Sequence, residues 1–362
     1  MAETDCKKEH LSIEDAIHHA RTNLGGRDVE PFWGGMAQIN PGRVVGYQVT
    51  SRKRWRLDFD PKKGVLLTQK LIQQDKVFAL LGVLGTPVVL ASIPIAVDAG
   101  VPFMFPGSSS RLVWEPHNKF VFSIGAPFDD QTKASVRYFA DKKKRLAVIY
   151  QDDDYGKDIR NAAVAQAKAS GMEVVAEASY KRGDTVFSSQ VARVRQGNPD
   201  LVVLGTIVRE TVGVAAEAKK VGWNVDFLVA TSGCNQAVPD LGKDAVNGLY
   251  VMCQFVPFDY DNESPAVKAW MDRYQKRFGV KADMAAAMGY DASQLFKLAL
   301  ERAGRDLTVD ALVRGTESIK NWQDLFGSPP QTFGPEQHIG TRTNVITQIQ
   351  GGKFIRLTGP LQ

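Results

Sequence analysis

A chain of 362 residues, with 44% hydrophobic and 23% charged side chains, is long enough for two domains and too apolar for intrinsic disorder. Its 45 basic and 40 acidic side chains leave a net charge of +5 without a basic block long enough to follow a polyanion, so nucleic acid is not expected as a partner. No run reaches the roughly 18 apolar residues of a membrane-spanning helix, and the opening MAETDCKKEHLSIEDA lacks the apolar centre of a signal peptide.

Residues 1–64 read as an atypical α+β segment. Ser12 is placed to cap a helix with the apolar stripe Ile13, Ala16, Ile17, Ala20 and Leu24, ended by Gly25-Gly26. Arg43 to Thr50 and Arg54 to Phe59 then alternate as strands. His10, His18 and His19 fall here, but adjacent helical residues point in different directions, so surface positions are expected and no metal site.

Past this segment, short Val/Leu/Ile runs alternate with amphipathic helices. A helix over 66–74 leads to strands at 78–83 and 101–105, then to strands at 146–150, 173–176, 201–204 and 227–230 separated by helices at 157–170, 186–195 and 210–221. Right-handed crossovers place such strands in parallel sheets covered on both faces. Helices at 265–278 and 284–303 follow without an intervening strand, and residues 344–357 alternate like a hairpin around Gly351-Gly352. Cys234 and Cys253 lie near the ends of consecutive strands, which permits one disulfide in an oxidising compartment and equally two buried free thiols.

Spacing signatures of catalysis are missing. There is no GxSxG, no HExxH, no phosphate-binding glycine loop ending in Lys-Ser/Thr and no GxGxxG, so catalytic residues, a cofactor and a metal are not expected. Asp152-Asp153-Asp154 reads as a solvated turn that caps the next helix. In open α/β sheets ligands sit beyond the carboxyl ends of strands, where helix N-termini offer free N–H groups to anions. Gly82-Val83-Leu84-Gly85-Thr86 ends one strand and Gly107-Ser108-Ser109-Ser110 the next, and small residues and hydroxyls there suit a carboxylate.

The stretches LTQKLIQQDKVFALLGVLGTPVVLA, AGVPFMFPGSSSR and LAVIYQDDDYGKD, followed by GNPDLVVLGT, KKVGWNVDFLVAT, VNGLYVMCQFVPFDY and MGYDASQLFKLALERAG, resemble type I periplasmic binding proteins of the leucine/isoleucine/valine-binding branch. The resemblance covers about residues 65–362. It implies two Rossmann-like lobes with parallel sheets joined by a three-segment hinge, the first lobe formed by 65–123 and 256–328 and the second by 124–255 and 329–362. It also implies a solute-binding protein of an ABC importer, periplasmic, a monomer or weak dimer, closing on a small carboxylate or amino acid and docking on a membrane permease. The implied ligand contacts are Gly85, Thr86, Gly107, Ser108, Ser109 and Ser110 in one lobe. The facing lobe would supply contacts from 152–155, 205–208 and 231–233, including Tyr155, Ile207, Thr231 and Ser232, with a further aromatic at Tyr290.

Two departures stand out. Amino-acid binders of this branch place an acid where this chain has Thr231-Ser232, and Ile207-Val208 fills a segment where a polar or aromatic contact is expected. Asp58-Phe59-Asp60-Pro61 resembles a turn of the family, but residues before it do not resemble the family's opening. RWRLDFDPKKG is also similar to a segment near the end of some bacterial polymorphic-toxin domains. The alternatives are a ligand-responsive regulator or a toxin-fusion protein using the same sensor. The helix-turn-helix of the former is contradicted by Pro31, Gly34-Gly35 and Pro41-Gly42 after Leu24.

Overall fold

In a computed structural model, residues 37–40, 43–46, 60–259 and 263–362 are described. The helix expected over 12–24 and the strand expected over 54–59 lie outside them. The described chain forms two sheets, each with helices on both faces.

The first sheet has the order β2-β1-β3-β4-β5, with β1 Ala37–Asn40, β2 Arg43–Gly46, β3 Ala79–Leu81, β4 Phe103–Met104 and β5 Val121–Phe122. β3, β4 and β5 are parallel, whereas β1 runs antiparallel to both β3 and β2. The sheet is thus mostly parallel, with Ala37–Asn40 running antiparallel beside β3. The tetrapeptide AQIN is too short to show a period, and its pairing with β3 is a long-range choice.

α1 (Pro61–Gln73) starts four residues into the resembling turn, because Asp60 accepts from the Lys62 amide at 2.9 Å and Pro61 is pre-set for a first helical turn. With α2 (Thr86–Asp98) it covers one face of the sheet, where Leu71, Val88 and Val89 meet Leu80, Phe103 and Val121. The other face, Leu81, Met104 and Phe122, takes Leu295, Phe296 and Leu312 from the two helices that are labelled α9 and α10 below. Since α1 and β1 both belong to this layer, the division at residue 64 cuts through a packed unit.

The second sheet has the order β12-β11-β10-β9-β8-β6-β7. Parallel strands β6 (Arg145–Gln151), β7 (Glu173–Tyr180), β8 (Leu201–Gly205), β9 (Asp226–Val229) and β10 (Tyr250–Cys253) are closed by the antiparallel hairpin β11 (Val345–Gln350) and β12 (Lys353–Arg356). Alternation sorts its side chains. Leu146, Val148, Leu201 and Val203 face α3 (Phe128–Phe139) and α4 (Asp154–Ala169), while Ala147, Ile149, Val202 and Leu204 face α5 (Ser188–Gln196) and α6 (Val208–Lys220). Beyond β9 lies a short helix, α7 (Ala237–Gly242).

Cys234 and Cys253 form a disulfide, which resolves the two open readings of these thiols. Of the remaining helices, α9 (Met284–Ala303) and α10 (Val309–Glu317) reach the first sheet's core, but α8 (Pro265–Phe278) does not follow them. Its Trp270 joins Phe258, Tyr290 and Phe326 in an aromatic group continuous with the core of the second sheet.

The chain leaves the first sheet for the second between β5 and β6, and returns after β10. Its last departure comes later than the expected crossing near 329. Phe333 is still in the first sheet's core, Ile339 bridges Ser123, and Val345 begins the second sheet's hairpin. His338 pins this stretch. It is 3% exposed, stacks on Phe122 with centroids 3.8 Å apart, and sets Nδ1 3.0 Å from the Asn118 carbonyl. Burial lowers its pKa from the ordinary histidine value despite Glu317 at 3.2 Å. A depressed folded pKa means the unfolded chain binds the proton more tightly. The contribution is therefore complete above the ordinary value and is lost as pH falls through the folded one. The thermal midpoint should drop between about pH 7.5 and 5.5, and the drop should shrink in His338→Gln. Parallel pH profiles for the two proteins would contradict this.

Candidate functional site

The loops after β3 and β4 are zipped to each other. Gly85 donates to the Gly107 carbonyl at 3.2 Å, and Gly107 donates to Val83 at 2.8 Å. Gly85 makes the turn into α2 with φ +95°, a conformation that favours glycine. The hydroxyls of Thr86 and Ser108 lie 2.9 Å apart, and the Ser110 amide donates to Ser108 Oγ at 3.3 Å. Ser109 gives its carbonyl to the Phe128 amide at 2.8 Å. The amides of Gly85 and Gly107 are thus spent within the chain. Those of Thr86, Ser108 and Ser109 donate to no acceptor among the described residues, although these three residues are 4–6% exposed. A buried N–H without an acceptor is costly, so these three, at two adjacent strand ends, are donors left available to a ligand.

Opposite, Tyr155 and Asp158 project from α4. Asp153 caps this helix through the Gly156 amide at 3.1 Å, as expected of the acidic turn. Gly156 allows the close approach, since a Cβ there would lie 2.0 Å from the Gln151 carbonyl oxygen. The Tyr155 hydroxyl bonds Ser232 Oγ and lies 3.3 Å from the Thr206 carbonyl, to which Ser232 Oγ also donates at 2.7 Å. Burial raises the Tyr155 pKa, so it acts as a neutral donor and acceptor. Phe128 packs edge-on against its ring at 5.2 Å. Ile207 precedes α6 and Thr231 opens a 3-10 turn at the end of β9, so both lie at the same rim as Tyr155 and Ser232. Tyr290 is placed elsewhere. Its ring contacts are Trp270 at 5.6 Å and Phe326 at 5.9 Å, in the aromatic group beside α8.

Besides the Ser109–Phe128 bond, a side-chain contact spans the two halves. Ser110 Oγ, on a first-sheet loop, donates to Asp158 Oδ2, on a helix of the second. Burial raises the Asp158 pKa, with the Ser110 and Arg111 hydrogen bonds acting the other way. Sequence reading missed Asp158. Its signal was its spacing, because it stands three residues after Tyr155 and so on the same helix face.

Three acids, Asp130, Asp152 and Glu210, bear on whether a cationic ligand group can be paired. Asp130 is paired with Arg342 at 2.7 Å and Asp152 with Lys157 at 2.9 Å. Glu210 is 4% exposed and its Oε2 has no partner among the described residues. Near it, Gln151 and Tyr180 are register partners at the ends of β6 and β7, and Gln151 Oε1 and Tyr180 Oη are also unpartnered. Burial and the Glu210 charge both raise the Tyr180 pKa. Among the described residues no cluster of three His, Cys, Asp or Glu able to hold a metal is present, and no helix is long and apolar enough to cross a membrane.

Residues 58–353 match the family model described as Periplasmic binding protein. An "Amino acid binding protein" of Pseudomonas aeruginosa is 24% identical over 282 residues, which cover 76% of this chain and 74% of that one. Among solved structures, a fatty acid ABC transporter substrate-binding protein from Thermomonospora curvata superposes with a TM-score of 0.76 at 23% identity, covering 88% of this chain and 82% of that one. A branched chain amino acid ABC transporter from Thermus thermophilus with bound valine gives 0.75 at 18% identity, covering 83% and 82%. With a family model spanning most of its length and this two-sheet architecture, the chain belongs to the periplasmic binding protein family.

Proposed function

We propose that this chain is the extracytoplasmic receptor of an ABC importer and binds a small carboxylate, a class that includes branched-chain amino acids, without transforming it. The observation that carries the reading is the set of buried, unspent amides at Thr86, Ser108 and Ser109, flanked by the Thr86 and Ser108 hydroxyls. Such donors bind a carboxylate with charge-assisted hydrogen bonds. The rim formed by Tyr155, Ile207, Thr231 and Ser232 covers the rest of the ligand from the other side, and Tyr290 is dropped from the contact set. Valine, bound in one structural neighbour, and a fatty acid, named for another, both carry a carboxylate, which fits this choice.

Binding works by closure. The proposed moving bodies are the first sheet with α1, α2, α9 and α10 and the second sheet with α3 to α8, the chain making its last passage between them at about residue 340. Ser110 and Asp158 would part on opening and meet on closing. The periplasm, a membrane permease as partner, and a monomeric or weakly dimeric state complete the proposal.

Calorimetry tests it. Leucine or valine and the corresponding keto acids should both bind, and Thr86→Val should weaken both by about 10- to 100-fold, the worth of hydrogen bonds to a charged group. Glu210 is the acid left to receive an ammonium, so Glu210→Gln should weaken only the amino acids. Binding of amines lacking a carboxylate, unaffected by Thr86→Val, would overturn the reading.

A further inference from the structure

A second polar site lies away from the strand-end loops. Three separated stretches, 124–125, 254–255 and 328–329, meet around a cavity of about 20 Å³. At their junction Gly125 has φ +85°, and a Cβ there would lie 2.1 Å from Gln254 Nε2, so the segments are in close contact. Asp291 from α9 and Asp324, Ser328 and Gln331 from the stretch after α10 also line this cavity.

Each of those four residues brings an oxygen with no donor among the described residues, and the Asp291 and Asp324 carboxyls lie within hydrogen-bonding reach of each other. The four oxygens are Asp291 Oδ1, Asp324 Oδ2, Ser328 Oγ and Gln331 Oε1. Asp291 is 7% exposed and Gln331 is 6% exposed. The orientations are fixed by what the other ends of these groups do. Gln331 Nε2 donates to the Pro329 carbonyl at 3.2 Å, which leaves its oxygen unpaired. Asp324 Oδ1 accepts from the Phe326 and Ser328 amides, each at 3.0 Å, which leaves Oδ2 unpaired. The lining holds two carboxyl groups and no Lys, Arg or His.

We infer that this cavity is a binding site for one hard divalent cation of the calcium class, held by Asp291, Asp324, Ser328 and Gln331 where the segments joining the two sheets meet. Oxygen-only donors suit such an ion, and its two charges match the two carboxylates. A water molecule fits the space but carries no charge to offset theirs. A proton shared between Asp291 and Asp324 is the competitor, since burial and the neighbouring carboxyl raise the Asp291 pKa well above its ordinary value. It offsets one charge and joins the two carboxyls, but supplies nothing to Ser328 Oγ or Gln331 Oε1. The site is independent of the carboxylate reading, and its test uses no organic ligand.

Trp322 lines the same cavity and provides the readout. The full chain, stripped with chelator, is titrated with terbium at constant ionic strength while tryptophan is excited, and separately heated with and without calcium chloride. The expected result is one ion per chain, tryptophan-sensitised emission that calcium competes away and Trp322→Phe abolishes, and a higher thermal midpoint in calcium. Asp291→Asn should lose both effects, and the milder Ser328→Ala, which keeps the acids, should weaken the ion several-fold. Three outcomes overturn the assignment. One is a wild-type midpoint unmoved by millimolar calcium. Another is equal stabilisation by sodium at the same ionic strength. The third is an Asp291→Asn chain that binds terbium as the wild type does. Stability that rises on acidification with no ion dependence would identify the shared proton instead.

Discussion

Trp270→Ala is expected to cost about 3–5 kcal/mol of folding stability, the range for removing a large buried aromatic. Trp270 is 5% exposed and lies within 6 Å of four rings, those of Phe258, Tyr274, Tyr290 and Phe326, the nearest being Phe326 at 4.8 Å. These rings come from α8, α9, the stretch after β10 and the stretch after α10. Collapse around an alanine would need all four segments to move together, so most of the void would remain. Because Tyr290 belongs to this group, Tyr290→Phe should leave ligand affinity unchanged, whereas a direct ligand contact would not. Urea unfolding measures the first effect, and a loss below about 1 kcal/mol would show that the group is not packed as described.

Removing the Cys234–Cys253 disulfide is expected to cost about 3 kcal/mol. The bridge joins residues 19 apart, and the chain-entropy model assigns roughly that value to a loop of this length. Both cysteines are at most 1% exposed, in the core on the α5 and α6 face of the second sheet. A buried bridge is reached by reductant only through unfolding, so dithiothreitol should lower the thermal midpoint of the wild type and leave that of a Cys234→Ser/Cys253→Ser double variant unchanged. The bridge also ties the turn bearing Thr231 and Ser232 to β10. Its loss should therefore weaken ligand binding as well as folding. A double variant as stable as the wild type would put the bridge's contribution near zero.

Legibility in the sequence followed the strength of local period. Helices at 265–278 and 284–303 were placed to the residue, and β6, β8 and β9 to within one, because their apolar patterns run long and are bounded by Gly, Asp or Pro. β7 is expected over four residues and runs for eight, since its second half, Glu177 to Tyr180, alternates polar and apolar side chains at a sheet edge where one side faces water. At the site, the glycine and serine loops were recognisable because strand-end turns need small residues and anions need N–H groups.

Composition, local period and motif therefore carry the α/β class, the elements with sustained periodicity, the loops fit for a carboxylate, and the family resemblance. Tertiary structure alone decided the antiparallel pairing of Ala37–Asn40 with β3, the joining of Cys234 to Cys253, and the departure of Tyr290 into the Trp270 group. It also decided that Ser110 meets Asp158 and that Asp291 meets Asp324 beside a small cavity. The physical reason is that hydrophobic period and capping act over a few residues and are written in adjacent letters. Which strand edge, thiol, ring or carboxyl lies across the gap depends on how whole layers pack, and that free energy is a sum over contacts between residues far apart in the chain.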